Sequence, residues 1–295
     1  RELAMAYRKE TAMAAWRRLR HTPIYMVIAI ACLGQTVCCS RADDAVRLGH
    51  LDASRILFFG NSITYHPIKT SIGWTGDWGM AATDADHDYV HLVAGDVARE
   101  AGAAPSVMAT YNLDWEQNYS GYNYAAAGFQ TQLVFAPTIV VVAIGENVDA
   151  ASLSEPDGQT AFSDAVKRLL AQFMYHGNPT IFLRSEFWAN PVKDGLLEQV
   201  AADTGAIFVD QSALGADPMN YAYSEATNPW RNNSMINSHP GDVGMQAIAD
   251  SLFTAMVTHS APEPGTLALL AIAGPFAAGI AWQRRRSTAK KGPMA

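Results

Sequence analysis

The segment 138–144, Thr-Ile-Val-Val-Val-Ala-Ile, most constrains what this chain can fold into. Nearly every residue in it is β-branched or apolar, so a strand built from it has no face that suits water. Such strands belong to parallel sheets that helices cover on both faces. Four further runs have strand character, and they lie at 55–59, 106–111, 180–183 and 206–209.

Segments with helical spacing alternate with these runs and lie at 88–101, 162–173, 194–204 and 242–257. Alternation of strands and helices over about 200 residues predicts one α/β domain. The predicted fold is a three-layer, doubly wound, flavodoxin-like sandwich with a mainly parallel five-stranded sheet. In such sheets, ligands bind at the C-terminal ends of the strands.

The charge of the chain is distributed unevenly. The formal net charge is −7, from 21 Lys and Arg against 28 Asp and Glu. Residues 1–42 sum to +5 and residues 262–295 to +4, so residues 43–261 carry −16. The acidic middle lacks the basic surface that phosphate groups require, so nucleic acid is not expected as a partner.

The first 42 residues are predicted to be a secretory signal segment. Three arginines, at 17, 18 and 20, precede an apolar run from Ile24 to Leu33. Basic and apolar regions in this order, before a cleavage site of small residues, are typical of a signal peptide. An uncleaved membrane anchor is the alternative, although the run is shorter than the ~20 residues of a membrane span. All three cysteines lie in this segment, and acylation of one of them is a further alternative.

The C-terminal end has the layout of a sorting signal. Pro262-Glu263-Pro264 precedes 18 uncharged residues, from Gly265 to Trp282, and three arginines follow at 284–286. The apolar stretch is just long enough to span a bilayer, and the arginines predict a cytoplasmic end. Residues 262–286 resemble the PEP-CTERM sorting signal of bacteria, and residues 287–295 form a basic tail.

The resemblance to PEP-CTERM proteins implies partners and a location. An exosortase-type processing enzyme would act on the signal, and the C-terminal helix would lie in the membrane before processing. The chain is therefore expected to be exported and to end up membrane-anchored, at the cell surface or in the extracellular matrix.

Three short motifs lie where this fold places ligands. Gly60-Asn61-Ser62-Ile63 follows the first strand, Gly145-Glu146-Asn147 follows the strand at 138–144, and His239-Pro240-Gly241-Asp242 precedes the last helix. Serine is a weak nucleophile until a base takes its proton, and histidine is the usual base. Each motif alone also fits a turn or a helix cap. Their joint order and placement indicate a catalytic site.

In these motifs the predicted domain, residues 43–261, resembles the SGNH (GDSL-like) hydrolases. The matching blocks begin at Gly60, Asn123, Gly145 and His239. The resemblance implies an esterase in which Ser62 is the nucleophile and His239 its base. It also implies three oxyanion donors, which are the backbone N–H groups of Ser62 and Gly128 and the side chain of Asn147.

The match departs from the family pattern at three positions. Asn61 and Val148 each stand where the family has Asp, and Ile236 stands where an acid usually orients the histidine. Without that acid, a backbone carbonyl or a distant carboxylate could hold the imidazole ring. We therefore expect a Ser-His dyad whose third member is open. Asp242, which follows His239 by three residues, is expected to cap the last helix.

The sequence therefore predicts an exported serine esterase that needs no metal and no cofactor. Its expected substrate is a small ester or an acylated carbohydrate, such as one carrying O-acetyl groups. The candidates for substrate contact are Trp74, Trp78, Glu186 and Trp188. Loop packing is the alternative role for the aromatic residues. Two other functions stay open, which are a catalytically weak carbohydrate-binding protein of the surface or matrix and a lipase or lysophospholipase.

Overall fold

The computed structural model describes residues 45–261, and within them five parallel strands form one sheet. A small antiparallel hairpin, β1 (Arg47–Leu48) and β2 (Leu51–Asp52), precedes it. The sheet strands are β3 (Arg55–Gly60), β4 (Ser106–Tyr111), β5 (Ile139–Ala143), β6 (Thr180–Arg184) and β7 (Ile207–Val209). Their spatial order is β4-β3-β5-β6-β7. All four neighbouring pairs are parallel, which confirms the predicted parallel sheet.

Helices cover both faces of the sheet and complete the predicted three layers. One face packs against α1 (Tyr89–Ala101) and α6 (Asp242–Ser260). The other packs against α3 (Ala127–Val134), α4 (Pro156–Tyr175) and α5 (Pro191–Thr204). A further short helix, α2 (Leu113–Gln117), follows β4.

The strands divide their side chains between two hydrophobic cores. In β3, Ile56 and Phe58 point to the core beneath α1 and α6, whereas Leu57 and Phe59 point to the opposite core. All four side chains are fully buried. A strand that is buried on both faces needs no polar alternation, and this explains the continuous apolar runs in the sequence.

Several elements differ from their predicted bounds. α4 begins at Pro156 rather than 162, and α5 begins at Pro191 rather than 194. Proline suits the first turn of a helix, where its missing N–H would have no partner, so the helices start before their apolar spacing does. The spacing of apolar residues in the sequence does not predict α2 or α3. Both helices are short, and each supplies few buried residues.

Three predictions concern residues outside 45–261, and they lie beyond the described part of the chain. They are the signal segment at 1–42, the membrane helix within 262–286 and the basic tail at 287–295. Between residues 45 and 261, no helix is long and apolar enough to cross a membrane.

The burial of β5 leads to a matched stability test. Val141 in β5 is fully buried, whereas Val134 at the end of α3 is 83% exposed. We expect Val141→Ala to lower the free energy of unfolding by about 2–3 kcal/mol, because it removes buried apolar contacts and leaves a cavity. Val134→Ala makes the same chemical change at the surface and should alter it by less than about 0.5 kcal/mol. Urea unfolding measures both, and equal losses would contradict the central position of β5.

Candidate active site

Ser62 lies on a tight turn directly after β3. The backbone N–H groups of Thr64 and Tyr65 both donate to the carbonyl oxygen of Asn61, which closes the turn. Gly60 precedes the turn, and a Cβ atom there would overlap the Thr64 side chain, so only glycine fits. The turn leaves Ser62 partly exposed at the edge of the sheet.

His239 faces Ser62 from the loop before α6. Its Nε2 atom lies 3.0 Å from Ser62 Oγ, which is hydrogen-bond distance. Its Nδ1 atom lies 3.0 Å from the carbonyl oxygen of Ile236. A carbonyl oxygen only accepts hydrogen bonds, so we assign the ring proton to Nδ1, which leaves Nε2 free to accept the Ser62 proton. The position where an acid is usual thus supplies its backbone carbonyl instead.

Packing holds the His239 loop in place. The Ile236 side chain is fully buried, in a small core with Trp74 and Trp230. The Trp188 ring stands nearly perpendicular to the His239 ring, with centroids 5.2 Å apart, and its Nε1 donates to the carbonyl of Ser238 at 3.1 Å. Ile236 therefore anchors the turn from below, and Trp188 braces the imidazole from the side.

The surroundings of His239 keep its imidazole neutral. The residue is partly exposed, but protein atoms surround it closely. Its pKa lies at about 4, because burial lowers it, and the nearby His66 adds to this effect against the hydrogen bond to Ile236. A neutral imidazole is the form that accepts a proton, so His239 can act as a base at neutral pH.

The predicted oxyanion donors lie on two further elements. Asn147 follows β5 on an exposed loop, and its Nδ2 donates to Glu116 Oε2 at 2.7 Å. Gly128 is the second residue of α3, and N–H groups in the first turn of a helix have no partner within the helix. Among the described residues, no hydrogen bond joins Gly128 directly to Ser62. Its role as a donor therefore stays a prediction.

A buried ion pair lies behind the Ser62 turn. Arg184, the last residue of β6, places Nη1 2.8 Å from Glu146 Oε1, and both side chains are 0% exposed. Burial alone would raise the pKa of Glu146, but the Arg184 guanidinium lowers it. Glu146 is therefore the carboxylate that keeps its charge in this part of the protein.

Asn61 joins this ion pair to a second buried carboxylate. Its Nδ2 donates to Glu146 Oε2 at 2.7 Å and to Glu116 Oε1 at 3.2 Å. Its Oδ1 accepts the Ile63 N–H at 3.1 Å. An aspartate here would face two carboxylates without any hydrogen to donate. This arrangement gives a physical reason for asparagine at the position where the SGNH pattern has aspartate.

The structure corrects two of the predicted substrate contacts. Trp74 is 0% exposed, and its ring packs against Trp230 with centroids 4.6 Å apart. Glu186 is also 0% exposed, and its Oε1 lies 2.5 Å from Lys193 Nζ. Neither side chain has a surface that a ligand can reach. Trp74 is therefore a packing residue of its loop. Glu186 is a buried carboxyl group in contact with Lys193, and burial raises its pKa to about 8.

The other two candidates, Trp78 and Trp188, remain partly exposed. Trp78 packs edge-on against the buried Trp74 ring with centroids 5.7 Å apart. Trp188 borders His239 directly, as described above. A substrate role for these two rings stays a prediction. Of the two, Trp188 is the ring that contacts His239.

Asp242 does not cap α6 as expected. It is the first residue of the helix, and its carboxylate accepts the Thr83 N–H and the Thr83 hydroxyl, both at 2.8 Å. The N–H of Val243 donates instead to Glu225 Oε1 at 2.9 Å. Asp242 thus ties the long loop after Ser62 to the helix that follows His239.

An open cavity of about 370 Å³ lies beside Asn147, which is within the size range of small-ligand pockets. Amide, hydroxyl and carboxylate side chains dominate its lining, which comprises Glu116, Gln117, Asn118, Tyr119, Ser120, Asn147, Asp149 and Ser152. Within residues 45–261, no group of three or more His, Cys, Asp or Glu side chains is arranged to hold a metal ion. The polar side chains of the cavity lining can donate and accept hydrogen bonds.

Sequence reasoning missed Glu116 and Arg184. Glu116 lies in α2, which has no clear apolar spacing, and it belongs to none of the motifs. Arg184 had a usable signal, because it directly follows the buried run 180–183, and a buried arginine requires a carboxylate partner. Glu146, three residues beyond the end of β5, is that partner.

The comparison with known families identifies the C-terminal signal. Residues 260–286 match the PEP-CTERM protein-sorting motif, which confirms the predicted sorting signal. The motif indicates export and sorting to the cell surface, and it implies processing by an exosortase. No curated protein sequence matches this chain significantly.

Solved structures similar to this chain include esterases and a lipase. A family two carbohydrate esterase from Clostridium thermocellum is 18% identical with a TM-score of 0.43, over 70% of this chain and 64% of that one. A psychrotrophic esterase from Pseudoalteromonas is 14% identical with a TM-score of 0.41, over 69% and 96%. An extracellular lipase from Streptomyces rimosus is 14% identical with a TM-score of 0.42, over 69% and 100%. The chain spans less than two-thirds of the first of these proteins. Its α/β fold is established by its own strand order and register.

The contacts of Asn61 make a counterintuitive prediction. Asn61→Asp restores the SGNH motif, but it replaces a buried donor by a third carboxylate beside Glu116 and Glu146. We expect it to lower the free energy of unfolding by about 3–5 kcal/mol, because it leaves buried negative charge without compensation. The loss should be greater at pH 8 than at pH 5, where protonation relieves it.

Asn232→Asp is the matched control, since Asn232 is exposed, and its effect should stay below about 0.5 kcal/mol. Urea unfolding at the two pH values measures both variants. An Asn61→Asp protein as stable as the wild type would show that the buried carboxylates do not depend on this amide.

Proposed function

We propose that the domain is an SGNH-type serine esterase. The observation that carries the proposal is the pair formed by Ser62 and His239, whose Oγ and Nε2 atoms lie 3.0 Å apart. Two features support it, namely the turn that leaves Ser62 partly exposed and the neutral imidazole whose second nitrogen donates to Ile236. A nucleophile, a base and a group that orients the base are the parts that acyl transfer requires.

The proposed reaction has two halves. Ser62 Oγ attacks the ester carbonyl carbon while its proton moves to His239 Nε2. The bond between that carbon and the alcohol oxygen then breaks, and His239 returns the proton to the departing alcohol, which leaves an acyl-enzyme. Water attacks the acyl-enzyme with His239 as base, and breakage of the bond to Ser62 Oγ releases the acid and restores the serine hydroxyl.

Three donors are proposed to stabilise the oxyanion. These are the backbone N–H groups of Ser62 and Gly128 and the side-chain amide of Asn147. The Asn147 amide carries two hydrogens, and Glu116 accepts one of them at 2.7 Å. The other is left for the developing negative charge.

We propose an acylated carbohydrate, such as an O-acetylated one, as the substrate. The polar cavity beside Asn147 supports a hydroxyl-rich alcohol, because its amide and hydroxyl groups can exchange hydrogen bonds with a sugar ring. The partly exposed Trp188 beside His239 adds an aromatic face. Sorting to the surface brings the chain to where polysaccharides are found, and we propose the cell surface or matrix as its site of action.

The two alternative functions have weaker support in the structure. A catalytically weak binding protein was the alternative because Ile236 replaces the acid that usually orients the histidine. The Ile236 backbone carbonyl supplies that orienting contact. The lipase function would be favoured by an apolar channel for an acyl chain, whereas the residues that line the cavity beside Asn147 all carry polar side chains.

The nucleophile assignment is tested by Ser62→Ala. We expect it to reduce hydrolysis of a short-chain aryl ester by at least about 10³-fold, because the attacking oxygen is removed. Ser154→Ala is the matched control, since Ser154 is an exposed residue on another loop, and it should retain full turnover. Circular dichroism confirms that both variants are folded. Turnover by Ser62→Ala equal to that of the wild type would refute the proposal.

The substrate class is tested by Asn118→Ala in the cavity. Loss of one hydrogen bond to a sugar should lower kcat/KM for an acetylated oligosaccharide about three- to tenfold relative to kcat/KM for an aryl acetate. Asn232→Ala, an exposed position outside the cavity lining, should leave the ratio unchanged. A ratio that is unaffected by Asn118→Ala would argue against a sugar in this cavity.

A further inference from the structure

Glu116 connects the two segments that carry the proposed chemistry. Its Oε1 accepts the backbone N–H groups of Gly145 at 2.7 Å and Asn147 at 3.3 Å, and also Asn61 Nδ2 at 3.2 Å. Its Oε2 accepts Asn147 Nδ2 at 2.7 Å. The residue is only 1% exposed. One buried carboxylate therefore links the turn that carries Ser62 to the loop that carries Asn147.

These contacts settle which way the Asn147 amide points. A carboxylate oxygen repels the amide oxygen and attracts the amide N–H, so the bond to Glu116 fixes Nδ2 on the inner side. Asn147 lies on an exposed loop, where its side chain would otherwise rotate. With one Nδ2 hydrogen held by Glu116, the direction of the second hydrogen is also fixed.

We propose that Glu116 is a positioning residue for the oxyanion site. It holds the Asn147 amide with one N–H towards the ester oxygen, and through Asn61 it keeps the Ser62 turn in register with that amide. The inference rests on the proposed esterase function. A donor that is already oriented stabilises an oxyanion without reorganising during the reaction, and this is the source of its catalytic effect.

The charges around Glu116 add a dependence on pH. Glu146 faces it from the end of β5, Arg184 from β6 and Tyr111 from β4. Burial raises the pKa of Glu116, and repulsion from Glu146 adds to this effect, against the hydrogen bonds from Asn147, Gly145 and Asn61. Because Arg184 keeps Glu146 charged, Glu116 takes up a proton before Glu146 does as the pH falls.

Protonation of Glu116 replaces one acceptor site by an O–H donor, so one of its four N–H contacts is lost. The ionised form exists above the raised pKa of Glu116, whereas His239 stays neutral down to about pH 4. Turnover should therefore decline on the acid side at a pH set by Glu116, above the pKa of His239.

The decisive experiment is a double-mutant cycle with Glu116→Gln and Asn147→Ala on an aryl acetate. Removing one oxyanion donor costs about 10²–10³ in kcat, and we expect Glu116→Gln to cost about 10- to 100-fold with KM changed less than about twofold. If Glu116 acts through Asn147, the double variant is about as slow as Asn147→Ala alone.

Asp88→Asn is the matched control, because Asp88 is a fully buried side chain that accepts the backbone N–H groups of Gly79 and His91. The loss of kcat in this variant should multiply with the loss in Asn147→Ala.

The pH dependence of kcat is a second measurement, and a purely structural role of Glu116 would not change it. In the Glu116→Gln variant, the pH at which kcat falls on the acid side should shift down towards about 4, the pKa of His239. The same shift is expected in Asn147→Ala, in which Glu116 is intact. If Glu116→Gln does not fold, the pH dependence of kcat in Asn147→Ala still tests the inference.

The outcomes separate this inference from the proposed function. Losses that multiply in the double variant, or an acid limb that stays in place in Asn147→Ala, would overturn the role of Glu116 while leaving the esterase assignment intact. A wild type that hydrolyses no ester, or a Ser62→Ala variant that remains active, would overturn the esterase function and this inference with it.

Discussion

The ion pair between Glu146 and Arg184 is the interaction on which the rest of the site depends. Two buried charges are tolerated only when nearby groups compensate them, so the residues around the pair are constrained as well. Asn61 must donate rather than accept, because Glu146 and Glu116 both face it. The backbone carbonyl of the same residue closes the turn that presents Ser62. The electrostatics of the buried interior therefore determine the geometry of the exposed hydroxyl.

The His239 ring is oriented without a carboxylate beside it. The Ile236 carbonyl fixes the tautomer, but it carries only a partial negative charge and stabilises an imidazolium less than an acid would. Burial lowers the pKa of His239, and the hydrogen bond to the Ile236 carbonyl opposes this only in part. The arrangement favours an imidazole that is neutral at neutral pH. The proposed mechanism therefore assigns transition-state stabilisation to the oxyanion donors.

Much of this structure could be predicted from sequence, and the failures have physical causes. The run 138–144 predicts a two-sided strand because apolar continuity is a local property, and the Ser62 and His239 motifs are readable for the same reason. The carbonyl of Ile236 has no sequence signature, since every residue carries one. The sequence leaves Trp74 open between substrate contact and loop packing because aromatic residues suit both sugars and cores, and only the fold shows that it is buried. Glu116 depends on a short helix that tertiary contacts stabilise.

The use of a main-chain carbonyl to orient His239 has a consequence for how this protein can vary. A side-chain substitution at position 236 cannot delete that acceptor, so the residue is released from catalytic constraint and its side chain serves the core with Trp74 and Trp230. Alanine scanning would report this position as a packing residue and overlook its other task. An insertion or deletion in the loop would instead displace the Ile236 carbonyl, because it moves the backbone while Ser62 and His239 are both kept.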